Sequence, residues 1–266
     1  MVKSLFIEFR FGERSLKGLT DSGANHLIIA MNKLNRNRWQ VLEKTGIKLS
    51  ISVNAFDYGC PLNPKAKEKL FERIKKVLAF NSTEIWLDHF RFDGHWEAIK
   101  ENRIPGIHQE CQWCRGQERV KALVDIAQEV KKMLPKGVSL GYFAVPYKET
   151  EVPELVSGLG QDHGQLAETF DLLSPMLYHR MIKKPVKYIH DYVVWLKEKT
   201  QKPILPIIQI KDMPDELPDK LSEEEITAAF KEAARPPSIG VAFFCWDHAI
   251  EKGKSELIKK LFKQRG

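Results

Sequence analysis

Eight short runs rich in β-branched, aromatic and aliphatic residues recur along this chain, and each is followed by enough sequence for a helix. They lie near Leu5–Phe11, His26–Met31, Ile47–Val53, Glu84–Phe90, Val138–Val145, Leu172–Tyr178, Ile204–Ile210 and Ile239–Trp246. Amphipathic stretches fill most of the gaps. Asn63-Pro64 opens one of them, with Pro in the first helical turn. Arg119 to Met133 forms another, stopped by Pro135-Lys136-Gly137. Pro185 to Lys199 and Ser255 to Lys263 are two more, and Ser222-Glu-Glu-Glu has the capping-box pattern. Strand and helix alternating eight times calls for parallel strands, and eight repeats suit closure into an α/β barrel. The 266 residues match the roughly 250 of one such barrel. We therefore expect a single domain over 1–266, with a long loop after strand four at about 93–118. The competing architecture, an open doubly wound sheet, usually carries a glycine-rich phosphate turn after its first strand, and Phe11-Gly12-Glu13-Arg14 is not one.

Composition limits the function classes. A chain with 43% hydrophobic and 29% charged residues has an ordinary globular balance and can bury a large core. The net charge of +7 comes from Lys and Arg scattered through helical stretches, which reads as solvated helix faces rather than a nucleic-acid patch. No apolar run reaches the ~18 residues of a membrane span. The opening Met-Val-Lys-Ser-Leu-Phe-Ile-Glu enters a strand without a signal-peptide core, so the expected compartment is cytoplasmic.

The four cysteines are too few for a disulfide scaffold. We expect no cofactor. One metal candidate stands out: Cys111-Gln-Trp-Cys114, with His108 before it and Cys60 upstream, could assemble a structural zinc site. A single CxxC suits a local disulfide or free thiols more simply.

In a barrel, residues that end the strands face the catalytic mouth. The run from Asp88 to Gly94 crowds two carboxylates, an arginine and a histidine onto one strand end. Such groups are costly to desolvate unless they are paired or used. The other ends offer Glu8 and Arg10, Asn54 and Asp57, Tyr142 and Tyr147, Tyr178 to Arg180, Gln209 and Lys211, and Cys245 to His248. Carboxylates and amides hydrogen-bond sugar hydroxyls, aromatic faces stack on pyranose rings, and a carboxylate pair can cleave a glycosidic bond. Each feature has a plainer use. Asp88 with Arg91 could only lock the strand end, Glu8 with Arg10 could pair inside the barrel, and Trp246 could cap the core.

Asp88-His-Phe-Arg-Phe-Asp93 resembles the strand-four motif of an uncharacterised group of TIM-barrel glycoside hydrolase-like proteins. Ser174-Pro-Met-Leu-Tyr178 resembles their strand six, and Cys111 with Cys114 is similar to their Cys-rich inserts. Met176-Leu-Tyr178 and the stretch from Gly240 to Trp246 are also similar to chitinase-type barrels, and strand four to the α-amylase pattern Asp-Gly-Phe-Arg-x-Asp. The chain departs from both. Phe90 stands where a chitinase has its catalytic Glu, His89 stands where an amylase has Gly, and no Glu follows strand five at Ala144-Val145.

The resemblance implies a glycosidase acting on a poly- or oligosaccharide. Asp88 would be nucleophile or base, held ionised by Arg91. The general acid would be one of Asp247, Glu8, Asp93 and Asp57. Asn54, Asp57, Tyr142, Tyr178, His179, Gln209 and Trp246 would position the sugar. The alternatives are a barrel that binds carbohydrate without cleaving it and a metal-dependent hydrolase. The rim lacks the paired histidine spacing that the latter needs.

Overall fold

The computed structural model describes residues 1–57, 59–93, 111–213 and 218–264. Strands β1 (Val2–Ile7), β2 (His26–Ala30), β3 (Lys48–Asn54), β4 (Glu84–Asp88), β5 (Ser139–Ala144), β6 (Leu172–Pro175), β7 (Ile207–Gln209) and β8 (Gly240–Phe244) are parallel, in the order β6-β5-β4-β3-β2-β1-β8-β7. Parallel bridges at Leu173–Ile204 and Met176–Ile207 join the two outer strands. There the amides of Leu205 and Leu177 donate to the carbonyls of Leu173 and Ile207 at 2.9 and 2.8 Å. The sheet therefore closes into a (β/α)8 TIM barrel, which excludes the open doubly wound arrangement.

Local chemistry accounts for the helices. Helix α1 (Arg36–Glu43) starts where the Asn35 side chain accepts the amide of Arg38, and α2 (Pro64–Leu78) where Asn63 accepts that of Lys65. Helix α3 spans Arg119–Met133. The β5-to-β6 connection holds the short α4 (Glu154–Leu159) and α5 (His163–Ala167), followed after β6 by α6 (Tyr188–Thr200). Helix α7 (Glu223–Ala234) is capped by Ser222, whose hydroxyl accepts the amide of Glu225 at 3.2 Å. Helices α8 (Trp246–Glu251) and α9 (Ser255–Lys263) end the described chain. No helix among the described residues is long and apolar enough to cross a membrane.

The period of two along each strand divides the side chains into two cores. Leu5, Ile7, Ile29, Ile51, Val53, Tyr142, Leu173, Val241 and Phe243 point outward and meet the helices. Phe6, Ile28, Trp86, Phe143, Leu172, Ile207 and Ala242 fill the barrel interior. Strand one ends at Ile7 rather than Phe11, because Phe9 takes a left-handed φ of 55° and a 3₁₀ turn begins at Gly12. The first βα unit thus has only 3₁₀ turns, at Gly12–Leu16 and Thr20–Ser22.

The N-terminal end of the barrel is held by a buried polar cluster. Glu84 accepts from Lys48 Nζ at 2.6 Å and from the Trp86 indole at 2.8 Å, and lies 3.1 Å from His26 Nε2. His26 in turn meets the Ser50 hydroxyl at 2.9 Å. Trp86 is fixed from its other side as well. Its ring stacks on Phe143 with centroids 5.4 Å apart, and it covers Gly141 so closely that a Cβ there would sit 2.6 Å from the ring. Gly141 is thus required for close approach, not for backbone freedom.

Burial alone would push the Glu84 carboxyl up. The hydrogen bonds and charges of His26 and Lys48 outweigh it and hold the group at about 2 instead of 4.5. A carboxyl depressed in the folded state stabilises the fold above its unfolded value and loses that contribution as pH falls toward its folded value. We predict that Glu84 contributes about 3 kcal/mol above pH 4.5, lost between pH 4.5 and 2. Denaturant unfolding of wild type and Glu84→Gln across that range checks this. The gap between the two should be widest at neutral pH and should narrow on acidification; a constant gap would contradict it.

Candidate active site at the barrel mouth

The inward alternation that builds the interior core decides which strand ends reach the mouth. Ser4 and Phe6 lead to Glu8, Ser50 and Ser52 to Asn54, and Glu84 and Trp86 to Asp88. In the β3–β4 register Asn54 lies directly beside Asp88. Beneath these polar ends lies a floor of aromatic rings. Phe6 packs on Phe143 and Phe244 with centroids 5.8 and 5.2 Å apart, and Tyr178 packs on Phe244 at 5.5 Å. Half-buried carboxylates above an aromatic floor make a surface that can hydrogen-bond hydroxyls and stack on C–H faces.

Asp88 is held by its own turn. Its Oδ1 accepts the amide of His89 at 2.8 Å and lies 3.8 Å from His89 Nδ1. His89 has a φ of 49°, which turns the chain sharply after the strand. The Arg91 amide donates to the carbonyl of His89 at 2.9 Å, and Arg91 and Asp93 are half-buried in the same turn. Gln161 clamps this turn to the neighbouring strand end. Its amide nitrogen donates to the carbonyl of Phe90, and its oxygen accepts the amide of Val145, both at 3.0 Å.

Glu8 lies across the mouth on β1's end. It pairs with Arg10 Nε at 2.5 Å and accepts from the Cys245 thiol at 3.5 Å. Tyr178 is buried between the two carboxylates. Burial, then the charges of Asp88 and Glu8, keep its phenol well above the ordinary value. It is therefore a permanent hydrogen-bond donor at neutral pH.

Several expected site residues do other work. Asp247 is fully buried and accepts the amides of Glu8 and Arg10, each at 2.9 Å, and the Ser15 hydroxyl. Its oxygens hold the loop after β1, so it positions the backbone of Glu8. Trp246 packs in the helix layer near Gly18. Tyr142 points outward, where its hydroxyl meets His163 Nδ1 at 2.7 Å, and its inward neighbour Phe143 takes the place expected of it. Burial holds that histidine down at about 4, so it stays neutral in the outer layer. Asp57 is exposed and ion-paired with Arg73 of α2. His179 is buried against Glu225 at 2.9 Å. Gln209 faces inward, accepting the Arg180 amide at 3.2 Å and donating to the carbonyl of Lys211 at 2.8 Å.

A network of ion pairs under the β6, β7 and β8 loops had no signature in the sequence, because its members are far apart along the chain. Arg180 pairs with Asp212 at 2.6 Å and with Glu225 at 3.1 Å. Lys254, nearly buried, meets Asp219 at 2.7 Å and the carbonyls of Ile210 and Leu221. Two groups among the described residues bring metal-ligand atoms within 4.8 Å of one another: Glu8, Cys245 and His248 at the mouth, and Cys60, Cys111 and Cys114 beside it. His108, the fourth member of the expected zinc set, lies outside the described residues.

No protein-family model and no curated protein sequence matches the chain. Solved structures do share its fold. The glycoside hydrolase domain of PgaB (BpsB) from Bordetella bronchiseptica superposes with a TM-score of 0.71 at 11% identity, covering 100% of both chains. A chitinase from Chromobacterium violaceum gives 0.65 at 11% identity, covering 99% of both. A chitinase from Bacteroides thetaiotaomicron gives 0.64 at 11%, covering 100% of this chain and 98% of its own. At these identities the likeness is one of architecture: over its full length the chain is distantly similar to TIM-barrel glycoside hydrolases.

Proposed function

We propose that the protein is a glycosidase acting on a poly- or oligosaccharide, with Asp88 as its key carboxylate. The observation that carries this reading is the placement of Asp88: inward at the end of β4, beside Asn54, over Tyr178 and the aromatic floor, with Glu8 opposite. In that position Asp88 serves as nucleophile or base toward the anomeric carbon or its attacking water. Arg91, three residues on, adds positive charge to the same turn. Tyr178 donates a hydrogen bond to the substrate from a fixed, buried position. Asn54 and Gln209 hold the sugar or the walls around it. The general acid is drawn from Glu8 and Asp93, the half-buried carboxylates that accompany Asp88 at the strand ends, since Asp247 is fully buried against backbone amides and Asp57 is exposed beside Arg73.

A second reading is a barrel that binds carbohydrate without hydrolysing it. It is favoured by the pairing of Glu8 with Arg10, of Asp57 with Arg73 and of Asp247 with backbone amides, and fold by itself does not decide between the two.

The discriminating experiment is a turnover and binding screen of wild type and Asp88→Asn against a panel of oligosaccharides and aryl glycosides. Asparagine can still accept the His89 amide, so the variant should keep the wild-type melting temperature. We predict that kcat falls about a thousandfold in Asp88→Asn with binding retained. Bound but uncleaved sugar with both proteins would select the second reading, and full turnover in the variant would remove Asp88 from its role. We also predict that Tyr178→Phe leaves the fold intact and lowers kcat/KM by roughly tenfold, the loss of one hydrogen bond to the substrate. An unchanged value would leave Tyr178 as part of the floor alone.

A further inference from the structure

Three cysteines that the proposed chemistry does not use converge beside the mouth. Cys60 comes from the loop after β3, while Cys111 and Cys114 come from the segment leading into α3. Their sulfur atoms all lie within 4.8 Å of one another. Cys60 is 5% exposed and Cys114 is 1% exposed, while Cys111 is half-buried. Fifty residues of chain separate the first from the second, so the cluster is a tertiary arrangement and not a by-product of one turn.

The local geometry is that of a thiolate ligand set. The Cys111 and Cys114 sulfurs are 3.7 Å apart. Zinc–sulfur bonds of about 2.3 Å in a tetrahedron put the ligand sulfurs about 3.8 Å apart. A disulfide needs about 2.05 Å and has no use for a third sulfur. The backbone also turns a donor toward the cluster. The Cys111 amide donates to the Cys114 sulfur at 3.3 Å. The turn itself is closed by the amides of Cys114 and Arg115, donating to the carbonyl of Cys111 at 3.1 and 3.0 Å. Amide donors aimed at sulfur suit a thiolate bound to a cation better than a neutral thiol.

We propose that Cys60, Cys111 and Cys114 bind a structural zinc ion that clips the loop after β3 to the segment preceding α3. Three protein thiolates occupy three tetrahedral positions, and the fourth is open to water or one further donor. Thiolates select zinc over the hard cations magnesium and calcium. Binding deprotonates all three thiols and releases the protons to solvent. The clip holds the loop that follows β3, whose last residue Asn54 lies beside Asp88, so it acts on the stability of the wall rather than on the reaction.

The test is elemental analysis of the purified full chain, with Cys60→Ser, Cys111→Ser and Cys114→Ser beside Cys245→Ser as a control. The expected result is one zinc per wild-type chain, lost in each of the three cluster variants and retained in Cys245→Ser. Cobalt added to the chelator-treated wild type should give the intense thiolate charge-transfer absorption of a tetrahedral site. This readout stands even where a serine variant fails to fold. Wild type free of zinc that also fails to develop the cobalt band, a Cys111–Cys114 disulfide seen by mass, iron in place of zinc, or loss of the metal only in Cys245→Ser would each overturn the proposal.

Discussion

Closure of a parallel sheet on itself is the constraint on which everything else in this molecule rests. A closed sheet has no free edges, so every strand must present one row of side chains to a single shared column and the other row to the helices. Here that column begins with Glu84, His26 and Ser50, rises through Trp86, Phe143 and Phe6, and emerges at Glu8, Asn54 and Asp88. The same column therefore ends in a buried ion-paired cluster at one end and in the half-buried polar groups of the mouth at the other. The aromatic layer in the middle separates the two and lets each set of polar groups be satisfied on its own terms.

The eight-fold alternation made the barrel legible, because it depends only on periodicity and length. The mouth was less so, because it depends on parity. Whether a residue faces in or out flips with a shift of one position. Tyr142 was expected at the mouth and points outward, because Gly141 and Phe143 hold the inward positions under and beside Trp86. Trp246 and Asp247 follow the last strand and belong to a helix, where strand alternation no longer applies. Asp88, Asn54 and Gln209 were placed as expected, since each closes its strand on the inward parity. The Glu84 cluster was invisible for a different reason. Its members come from three strands, and only the sheet register brings them together.

The two halves of the rim are built differently. Under β6, β7 and β8 the loops are fastened by charge, through Arg180, Asp212, Glu225, Asp219 and Lys254. Beside β3 and β4 the corresponding position holds three thiols instead. The nearly buried pair in the first half, Lys254 with Asp219, offsets its desolvation through that contact and through the carbonyls of Ile210 and Leu221.

Asp247 sets an order on the assembly of the site. Its carboxylate grips backbone amides that lie 239 and 237 residues earlier in the chain. During vectorial synthesis the first strand emerges long before this partner exists, and Glu8, paired with its neighbour Arg10, lacks the clamp on its backbone until almost the whole barrel has left the ribosome. Contacts of such sequence separation form late, because the intervening chain must first be ordered. A nascent or C-terminally truncated barrel can thus possess Asp88, Asn54 and Tyr178 in full and still lack a finished mouth.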